Sequence, residues 1–446
     1  MSHAYRTRLA WAATILIGST PLALSAALAQ NAAPPQAAPE TIVLKAARVF
    51  DATGTQLKSN GIVVVRGDRI VAVGGAAPAG ARVIDLGDAT LLPGFIDSHT
   101  HVTMEFEKDY YHFFYSRMMR FPAEQALYGA LYARRTLEAG FTTVRNVGAS
   151  DFVDVGLRNA INAGVTPGPR ILTAVHAIGA RGGHVDDYPF PPDRVKPDGP
   201  IEGVCTGADE CRQAVQLQMK WGADLIKIAA SGGVLSESDP VDVPQLSPEE
   251  LSAIVNEAHK WGRKVATHCH GDAAAKLAIA AGVDSIEHGS FLTEETLRMM
   301  KAKGTWLVPT RMAVWWTSSH ADTYPPKIAD KARAAAAAHD KMFRTALKVG
   351  VKIAFGTDSG VFPHGMNAHE FVLMTDLGMS PAAALISGTR DAALLLGVQG
   401  EVGTLEAGKV ADVVAVPGNV LSDIHATEHP VLVMHQGRIV LQKSGS

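Results

Sequence analysis

Short runs of β-branched and other apolar residues mark both ends of the chain. Between residues 41 and 91, the runs TIVLKAARVF, GIVVVRGDRIVAVGG and ARVIDL are separated by turn-forming residues. The runs VADVVAVPG and HPVLVMHQGRIVLQ repeat this pattern between residues 399 and 446. Each segment alone is too short for a stable sheet, so we predict one small β-sandwich domain built from both chain ends.

The segment between them, residues 92–398, alternates short apolar runs with Ala-, Glu-, Lys- and Arg-rich stretches typical of helices. Eight runs are strand candidates: GFIDSHTHV, FTTVRNV, RILTAVH, DLIKIAA, KVATHCH, DSIEHG, TWLVPT and KIAFGTD. Helices are predicted between most of them, at residues 122–139, 208–221, 248–261, 273–281, 293–303 and 327–349. The alternation predicts an α/β fold, a (β/α)8 TIM barrel, although an open doubly wound sheet alternates in the same way.

The first residues have the pattern of an export signal. Two arginines precede an apolar stretch that ends in Ala-Leu-Ala, a small-residue cleavage motif. A membrane anchor is the alternative, but the sequence GSTP interrupts the apolar stretch. We predict a signal peptide over residues 1–29, cleaved near Ala29, and a flexible Ala- and Pro-rich leader over residues 30–40. The mature protein is then periplasmic or secreted, without stable membrane insertion.

Composition excludes several classes of protein. Of the 446 residues, 47% are hydrophobic and 19% are charged, which supplies a large core and excludes a disordered chain. The formal net charge is only −3, which argues against a nucleic-acid-binding protein.

In an oxidising compartment Cys205 and Cys211 can close a short disulfide loop, with two free thiols as the alternative. We expect the remaining cysteine, Cys269, to pack in the core.

Polar residues recur at the carboxyl ends of the predicted strands. They are His99 and His101 in the first strand, Lys227 in the fourth, His268 in the fifth, His288 in the sixth and Asp358 in the eighth. A His-x-His pair alone is a weak signal in a chain with 17 histidines. Barrel enzymes, however, build their active sites at this face from several strand ends. The convergence of four imidazoles, a carboxylate and a lysine therefore predicts a metal site.

Three of these residues also have a simpler interpretation. His288 by itself is typical of a hydrogen-bonded core histidine, and Asp358 of a turn or helix cap. Lys227 lies between two isoleucines on a strand predicted to be buried, so its amine must lose its charge or pair with a carboxylate. Alternatively, the amine reacts with CO2 to give a carbamate, an anion whose two oxygens can bridge two cations.

Six motifs follow one another along the chain: LLPGFIDSHTHV, GFTTVRNVG, GADLIKIAASGG, VATHCHG, SIEHGS and FGTDSG. Together and in this order they resemble the amidohydrolase superfamily, specifically its Xaa-Pro dipeptidase-like carboxypeptidase branch, which includes ochratoxin-degrading amidohydrolases. The resemblance implies two divalent metal ions, one of them held by His99, His101 and Asp358. It implies a second ion held by His268 and His288, with a carbamate on Lys227 bridging the pair. Zn²⁺ is the ion that these ligands favour.

The resemblance also implies a reaction. The expected reaction is hydrolysis of the amide bond to a C-terminal amino acid, in dipeptides, N-acyl amino acids or ochratoxin A-like amides. Two metal ions would supply hydroxide near neutral pH, and Asp358, as the catalytic residue, would carry a proton to the departing amine. A cyclic amide, lactone or phosphotriester hydrolase is the alternative on the same scaffold. A non-catalytic relative is the third class, but we expect such a protein to have lost ligands.

Residues that contact the substrate must come from the loops after the strands. We predict His184, after the third strand, and His270, two residues beyond His268, as substrate-binding residues; a surface histidine and a supporting histidine are the alternatives. Arg181 and the aromatic run YYHFFY at residues 110–115 can shape an apolar pocket, but an ordinary packed helix predicts the same run. The family often has Asp where this chain has Asn146, so we expect a changed hydrogen bond there and no lost ligand.

The expected partners follow from these predictions. The substrate is a small molecule or a short peptide, and nucleic acid is excluded. We further expect a homo-oligomer, since related enzymes commonly assemble.

Overall fold

The computed structural model describes residues 40–106, 109–186, 191, 193–194 and 196–443. The predicted signal peptide and all but the last residue of the predicted leader lie outside these residues. In the part of the chain that is described, no helix combines the length and the apolar character needed to cross a membrane.

Across the described ranges there are seventeen β-strands and twelve α-helices, besides short 3-10 and π-helical turns. The strands are β1 (Thr41–Val49), β2 (Lys58–Arg66), β3 (Arg69–Val73), β4 (Arg82–Asp85), β5 (Ala89–Pro93), β6 (Phe95–Thr100), β7 (Phe141–Asn146), β8 (Arg170–Thr173), β9 (Gly179–Ala180), β10 (Val204–Cys205), β11 (Ile226–Ala229), β12 (Val265–Cys269), β13 (Ser285–His288), β14 (Trp306–Val308), β15 (Val413–Pro417), β16 (Leu432–His435) and β17 (Arg438–Gln442). The helices are α1 (Tyr110–Met119), α2 (Pro122–Glu138), α3 (Val153–Asn162), α4 (Gly207–Lys220), α5 (Pro248–Lys260), α6 (Asp272–Ala281), α7 (Glu294–Lys303), α8 (Arg311–Ser319), α9 (Pro326–Val349), α10 (His369–Asp376), α11 (Pro381–Ile386) and α12 (Ala392–Leu396).

Strands from both ends of the chain share one eight-stranded mixed sheet. β1 pairs antiparallel with β2 and parallel with β5, and β5 pairs antiparallel with β15 from the other end. Apolar side chains of both ends, such as Leu44, Leu91 and Val413, belong to one buried cluster. Burial of this shared face is what holds the two short segments together. The two-layer sandwich itself stays a prediction.

The middle of the chain forms two parallel sheets, β6-β7-β8 and β11-β12-β13-β14, with helices between the strands. Seven of the eight predicted strands coincide with these seven strands, and the six predicted helices coincide with α2, α4, α5, α6, α7 and α9. Local signals set the helix ends. Ser247 and Glu250 form a capping box at the start of α5, and Gly350, at φ 76°, ends α9.

The eighth predicted strand, KIAFGTD, forms isolated β-bridges but no regular strand. Ile353 pairs in parallel with Leu307 of β14, and the backbone N–H of Asp358 donates to the carbonyl of His99 at 2.8 Å. Asp358 has a left-handed φ of 64°, which interrupts the regular ladder at this point. Residues 352–359 therefore connect β14 to β6, and the two parallel sheets meet there.

The opposite edges of the two sheets are also connected. The N–H of Asp224 donates to the carbonyl of Thr173 at 2.7 Å, and Ile178 pairs in parallel with Ile228 of β11. The result is a mixed α/β arrangement in which neighbouring parallel strands place their carboxyl ends at one face.

The structure places the three cysteines as follows. Cys205 and Cys211 form a disulfide between β10 and the first turns of α4, and both are buried. Cys269 is a free, buried thiol within the main apolar cluster, as expected from its sequence position.

Candidate metal centre and its cavity

Every residue predicted to bind metal or substrate lines one cavity of about 220 Å³. The eight are His99, His101, His184, Lys227, His268, His270, His288 and Asp358. His99, Lys227, His268 and His288 lie on four parallel strands, and the other four residues lie in segments outside the regular strands. The parallel arrangement places all eight at the same face.

A first group of ligating side chains consists of His99, His101 and Asp358. The ligating atoms of the three lie within 4.8 Å of one another. His99 lies on β6, and His101 directly follows the last residue of that strand, Thr100. Because side chains alternate along an extended chain, the two histidines point to the same side. The Oδ1 atom of Asp358 lies 3.4 Å from Nε2 of His99 and 3.3 Å from Nε2 of His101. One cation at this point would contact all three side chains.

A second group consists of His268, His270 and His288, whose ligating atoms also lie within 4.8 Å of one another. The rings of His270 and His288 are stacked, with centroids 4.8 Å apart. His270, predicted from the sequence to bind substrate, thus lies beside the two histidines predicted to hold the second ion. His288 adopts a left-handed φ of 67°, a backbone strain of the kind that concentrates at functional sites.

A protein atom holds one nitrogen of each candidate ligand histidine. The contacts are His99 Nδ1 with Glu287 Oε2 at 2.8 Å, His101 Nδ1 with Gly148 O at 3.1 Å, His268 Nε2 with Gly232 O at 3.2 Å, His270 Nδ1 with Ser290 Oγ at 2.9 Å and His288 Nδ1 with Thr310 Oγ1 at 2.7 Å. Such contacts fix the tautomer and the ring orientation, and they leave the other nitrogen of each ring for a ligand.

None of these supporting residues was predicted from the sequence. Glu287 precedes His288 on β13, and its carboxylate also accepts a hydrogen bond from Nη2 of Arg145 on β7 at 2.8 Å. Burial acts to raise the pKa of Glu287, but Arg145 and His99 outweigh it and hold that pKa at about 2. Each of these two charged residues lies within a predicted strand, and this placement could have indicated the pair, since buried charges rarely occur without a partner.

The electrostatics favour neutral imidazoles and an ionised carboxylate. Burial lowers the pKa of His270 to about 3 and holds the pKa values of His268 and His288 well below their usual range. For Asp358, burial acts to raise the pKa, but the adjacent His99 and His101 bring it well below its usual range. Neutral imidazole and ionised carboxylate are the forms that bind metal ions.

Lys227 lies on β11, buried within the cavity wall. Its Nζ atom is 3.4 Å from Nε2 of His99. Burial lowers the pKa of Lys227 to about 8, although Glu287 and Asp358 oppose this shift. The charge of Lys227 in turn helps to lower the pKa values of His101, His268 and His288, so the amine acts electrostatically on both groups of ligands.

His184 lies over the second group. Its ring is stacked on that of His268, with centroids 4.2 Å apart, and its Nδ1 atom lies 3.1 Å from Oγ of Ser236. Burial lowers the pKa of His184 to about 4. The neutral ring keeps one nitrogen for a polar group of a bound molecule.

The aromatic run at residues 110–115 forms the start of α1, and two of its side chains, Phe113 and Phe114, line the cavity. The run is therefore part of a packed helix and also contributes to the apolar wall of the cavity. Arg181 does not line this cavity. Its Nη1 atom donates to the carbonyl of Asp198 at 3.2 Å.

Asn146 supports the turn that follows the first two ligands. Its Oδ1 atom accepts from the backbone N–H of Val102 at 2.7 Å, and its Nδ2 atom donates to Asp154 at 3.1 Å. Burial raises the pKa of Asp154. The amide thus bridges a backbone donor and a buried carboxyl group, and it belongs to neither group of candidate ligands.

Known proteins match this chain over nearly all of the described fold. Residues 90–440 match the model of the Amidohydrolase family. Ochratoxinase from Aspergillus niger is 34% identical over 418 residues, which cover 88% of this chain and 84% of the relative. These matches confirm the resemblance inferred from the motifs.

Solved structures of similar fold include two peptidases. An Xaa-Pro dipeptidase with methionine bound in its active site has a TM-score of 0.85 and 36% identity, covering 90% of this chain and 99% of that one. A prolidase complexed with N-methylphosphonate-L-proline has a TM-score of 0.82 and 29% identity, covering 90% of this chain and all (100%) of that one. These neighbours imply a TIM-barrel-like fold. The chain belongs to the amidohydrolase family and is a hydrolase, as its motifs predict.

Proposed function

We propose that this protein is a binuclear-metal amidohydrolase that releases a C-terminal amino acid from dipeptides, N-acyl amino acids or ochratoxin A-like amides. One observation carries the proposal: two groups of three ligating side chains, with Lys227 beside them, face the same partly apolar cavity. The ochratoxinase, dipeptidase and prolidase relatives support an amide as the bond that is cleaved.

The donor set suits two divalent metal ions, most simply Zn²⁺, because it consists of imidazole nitrogens and a carboxylate. His99, His101 and Asp358 would hold one ion, and His268 and His288 the other. When bound, such ions polarise a carbonyl group and lower the pKa of a water molecule toward neutrality.

A carbamate on Lys227 would complete the centre. In its formation the neutral Nζ atom bonds to the carbon of CO2 and one proton is released, which leaves an anion with two oxygens. The depressed pKa of Lys227, about 8, supports this reaction because it increases the fraction of neutral amine near neutral pH. A carbamate would also convert a buried cation among imidazoles into the anion that two cations require.

Asp358 is the proposed proton carrier. Its ionised carboxylate lies at the first group of ligands, where it can accept the proton of the attacking water. The same carboxyl group can then give that proton to the amine nitrogen of the amino acid that leaves. His184 and His270 would orient the substrate by hydrogen bonds to its carbonyl or carboxylate oxygens.

The cavity walls indicate the preferred side chain. Phe106, Phe113, Phe114, Leu235 and Val314 line the cavity together with the ligands. Apolar and aromatic walls bind an apolar side chain and exclude water from the reacting bond. We therefore expect substrates with a large apolar residue next to the scissile amide.

The proposal extends to the architecture. We propose a closed (β/α)8 barrel over residues 92–398 and a β-sandwich domain over residues 41–91 and 399–446. The backbone connections of β8 with β11, and of residues 352–359 with β14 and β6, support the closure. Export after cleavage near Ala29 and assembly into a homo-oligomer stay predictions from the sequence.

Product analysis by mass spectrometry tests the proposed function. The zinc-loaded mature protein is incubated with N-acyl amino acids, dipeptides, ochratoxin-type amides, hydantoins and lactones. Lys227→Ala is assayed in parallel, with Lys276→Ala as a control, because Lys276 is ion-paired on the surface with Glu295. Release of a C-terminal amino acid by the wild type and the control, but not by Lys227→Ala, is the expected result. Ring opening with no amino acid released would favour the cyclic amide or lactone hydrolase instead.

A further inference from the structure

Arg117 is a half-buried cation on the wall of the candidate metal centre. It lies on α1, three residues after Phe114 and four after Phe113, so the three side chains share one helix face. All three line the cavity that holds the candidate ligands. Arg117 also lines an adjoining polar cavity of about 280 Å³, shared with His101 and His184. The guanidinium thus lies where the apolar walls meet the polar part of the site.

The charge of Arg117 has no compensating carboxylate among the described residues. The contact that the structure shows for its guanidinium is with the ring of Phe113, whose centroid is 5.5 Å from Cζ. Most other arginines at elements around the site are paired, as Arg145 is with Glu287 and Arg311 with Asp340. A guanidinium against apolar walls is stabilised by an anion that binds there.

We propose that Arg117 binds the free carboxylate of the C-terminal amino acid and thereby makes the enzyme selective for amides that carry this carboxylate. The inference rests on the proposed function and names the group that its substrates must share. In such an amide, one carbon atom separates the carboxylate from the scissile nitrogen, so both groups must enter the same cavity. A guanidinium suits this role because its donors match the two carboxylate oxygens in a bidentate pair.

The test compares two amides that differ only in the carboxylate, N-acetyl-L-phenylalanine and N-acetyl-2-phenylethylamine. The ratio of their kcat/KM values is measured for the zinc-loaded wild type, Arg117→Gln, Arg117→Lys and Arg120→Gln. Arg120 is the matched control because it lies just beyond α1 with its guanidinium over the ring of Tyr128, outside the cavity lining. Calorimetry with the product L-phenylalanine gives a second readout that does not depend on turnover.

The wild type should prefer the carboxylate substrate, and Arg117→Gln should reduce this preference by about 10- to 100-fold, with a matching loss in affinity for L-phenylalanine. Arg117→Lys should keep part of the preference, and Arg120→Gln should keep all of it. An unaltered preference in Arg117→Gln, with amide hydrolysis intact, would overturn this inference alone. A wild type that cleaves no amide would overturn the proposed function and this inference with it.

Discussion

His99 and Glu287 form a hydrogen-bonded pair beneath the candidate metal centre, with Nδ1 of the imidazole 2.8 Å from Oε2 of the carboxylate and both side chains buried. The other carboxylate oxygen accepts from Arg145 at 2.8 Å. A candidate ligand on β6 is therefore oriented by an ion pair that spans β7 and β13. The core of the fold and the geometry of the site depend on the same three side chains.

Glu287→Gln should weaken both metal binding and stability. The amide retains the shape of the carboxylate but leaves the Arg145 cation buried without a counter-charge, which costs about 3–5 kcal/mol of unfolding free energy. Loss of the partner of His99 should weaken Zn²⁺ affinity by about 10- to 100-fold. Urea unfolding and competition with a chromogenic chelator measure the two effects. Glu294→Gln, which removes a surface pair with Arg298, is the control and should alter neither quantity appreciably.

Asp358→Asn should abolish most turnover while the fold persists. The amide cannot accept the proton of the attacking water, and loss of such a general base lowers kcat by about 10²- to 10⁴-fold. Thermal unfolding and metal content, measured on the same preparation, separate this effect from misfolding. Near wild-type turnover by a metal-loaded Asp358→Asn protein would show that another group carries the proton.

Much of this site could be predicted because parallel strands place their carboxyl ends at one face. That rule brought His99, His268 and Asp358 together without any knowledge of side-chain orientation. The grouping of His270 with His268 and His288 depends on which way each ring turns, and hydrogen bonds from Ser290 and Thr310 set those directions. Local sequence does not encode such contacts.

The supporting ion pair and the eighth strand show the same limit. Arg145 and Glu287 lie 142 positions apart, so only the packed structure makes them neighbours. The segment KIAFGTD has the composition of a strand, but the left-handed backbone at Asp358 interrupts its ladder. Pattern and propensity predict which segments are extended; tertiary contacts decide how regularly each one pairs.

Lys227→Ala should lose the bridging anion and with it the second metal ion. If the missing group is a carboxylate-like bridge, short carboxylic acids such as acetate or propionate should restore part of the turnover. Turnover and metal content of the variant, with and without added acid, measure this rescue, and Lys276→Ala should show neither defect nor rescue. Two tightly bound ions and full turnover in Lys227→Ala would exclude a carbamate bridge.

Asn146→Asp should destabilise the protein in a pH-dependent way. The new carboxyl group would lie beside Asp154, 3.1 Å from the present amide, and burial already raises the pKa of Asp154. Ionising both of two buried carboxyl groups in contact is unfavourable, because the two negative charges repel each other in a poorly solvated place. Their folded-state pKa values therefore rise above those of the unfolded chain. Stability is then retained at low pH and lost as the pH rises through the folded-state values.

Thermal unfolding at pH 5 and pH 8 measures this effect. Asn146→Asp should fall further below the wild type at pH 8 than at pH 5. Asn159→Asp, on the exposed surface of α3, should show no such difference. Equal loss at both pH values would indicate a steric cause.

Titration of the metal-free mature protein with Zn²⁺, with the release of a C-terminal amino acid measured at each step, tests whether amide hydrolysis occurs at a two-metal centre. No release is expected without metal, and maximal release is expected at two Zn²⁺ ions per chain. Maximal release at one ion per chain, or release by the metal-free protein, would contradict a two-metal centre.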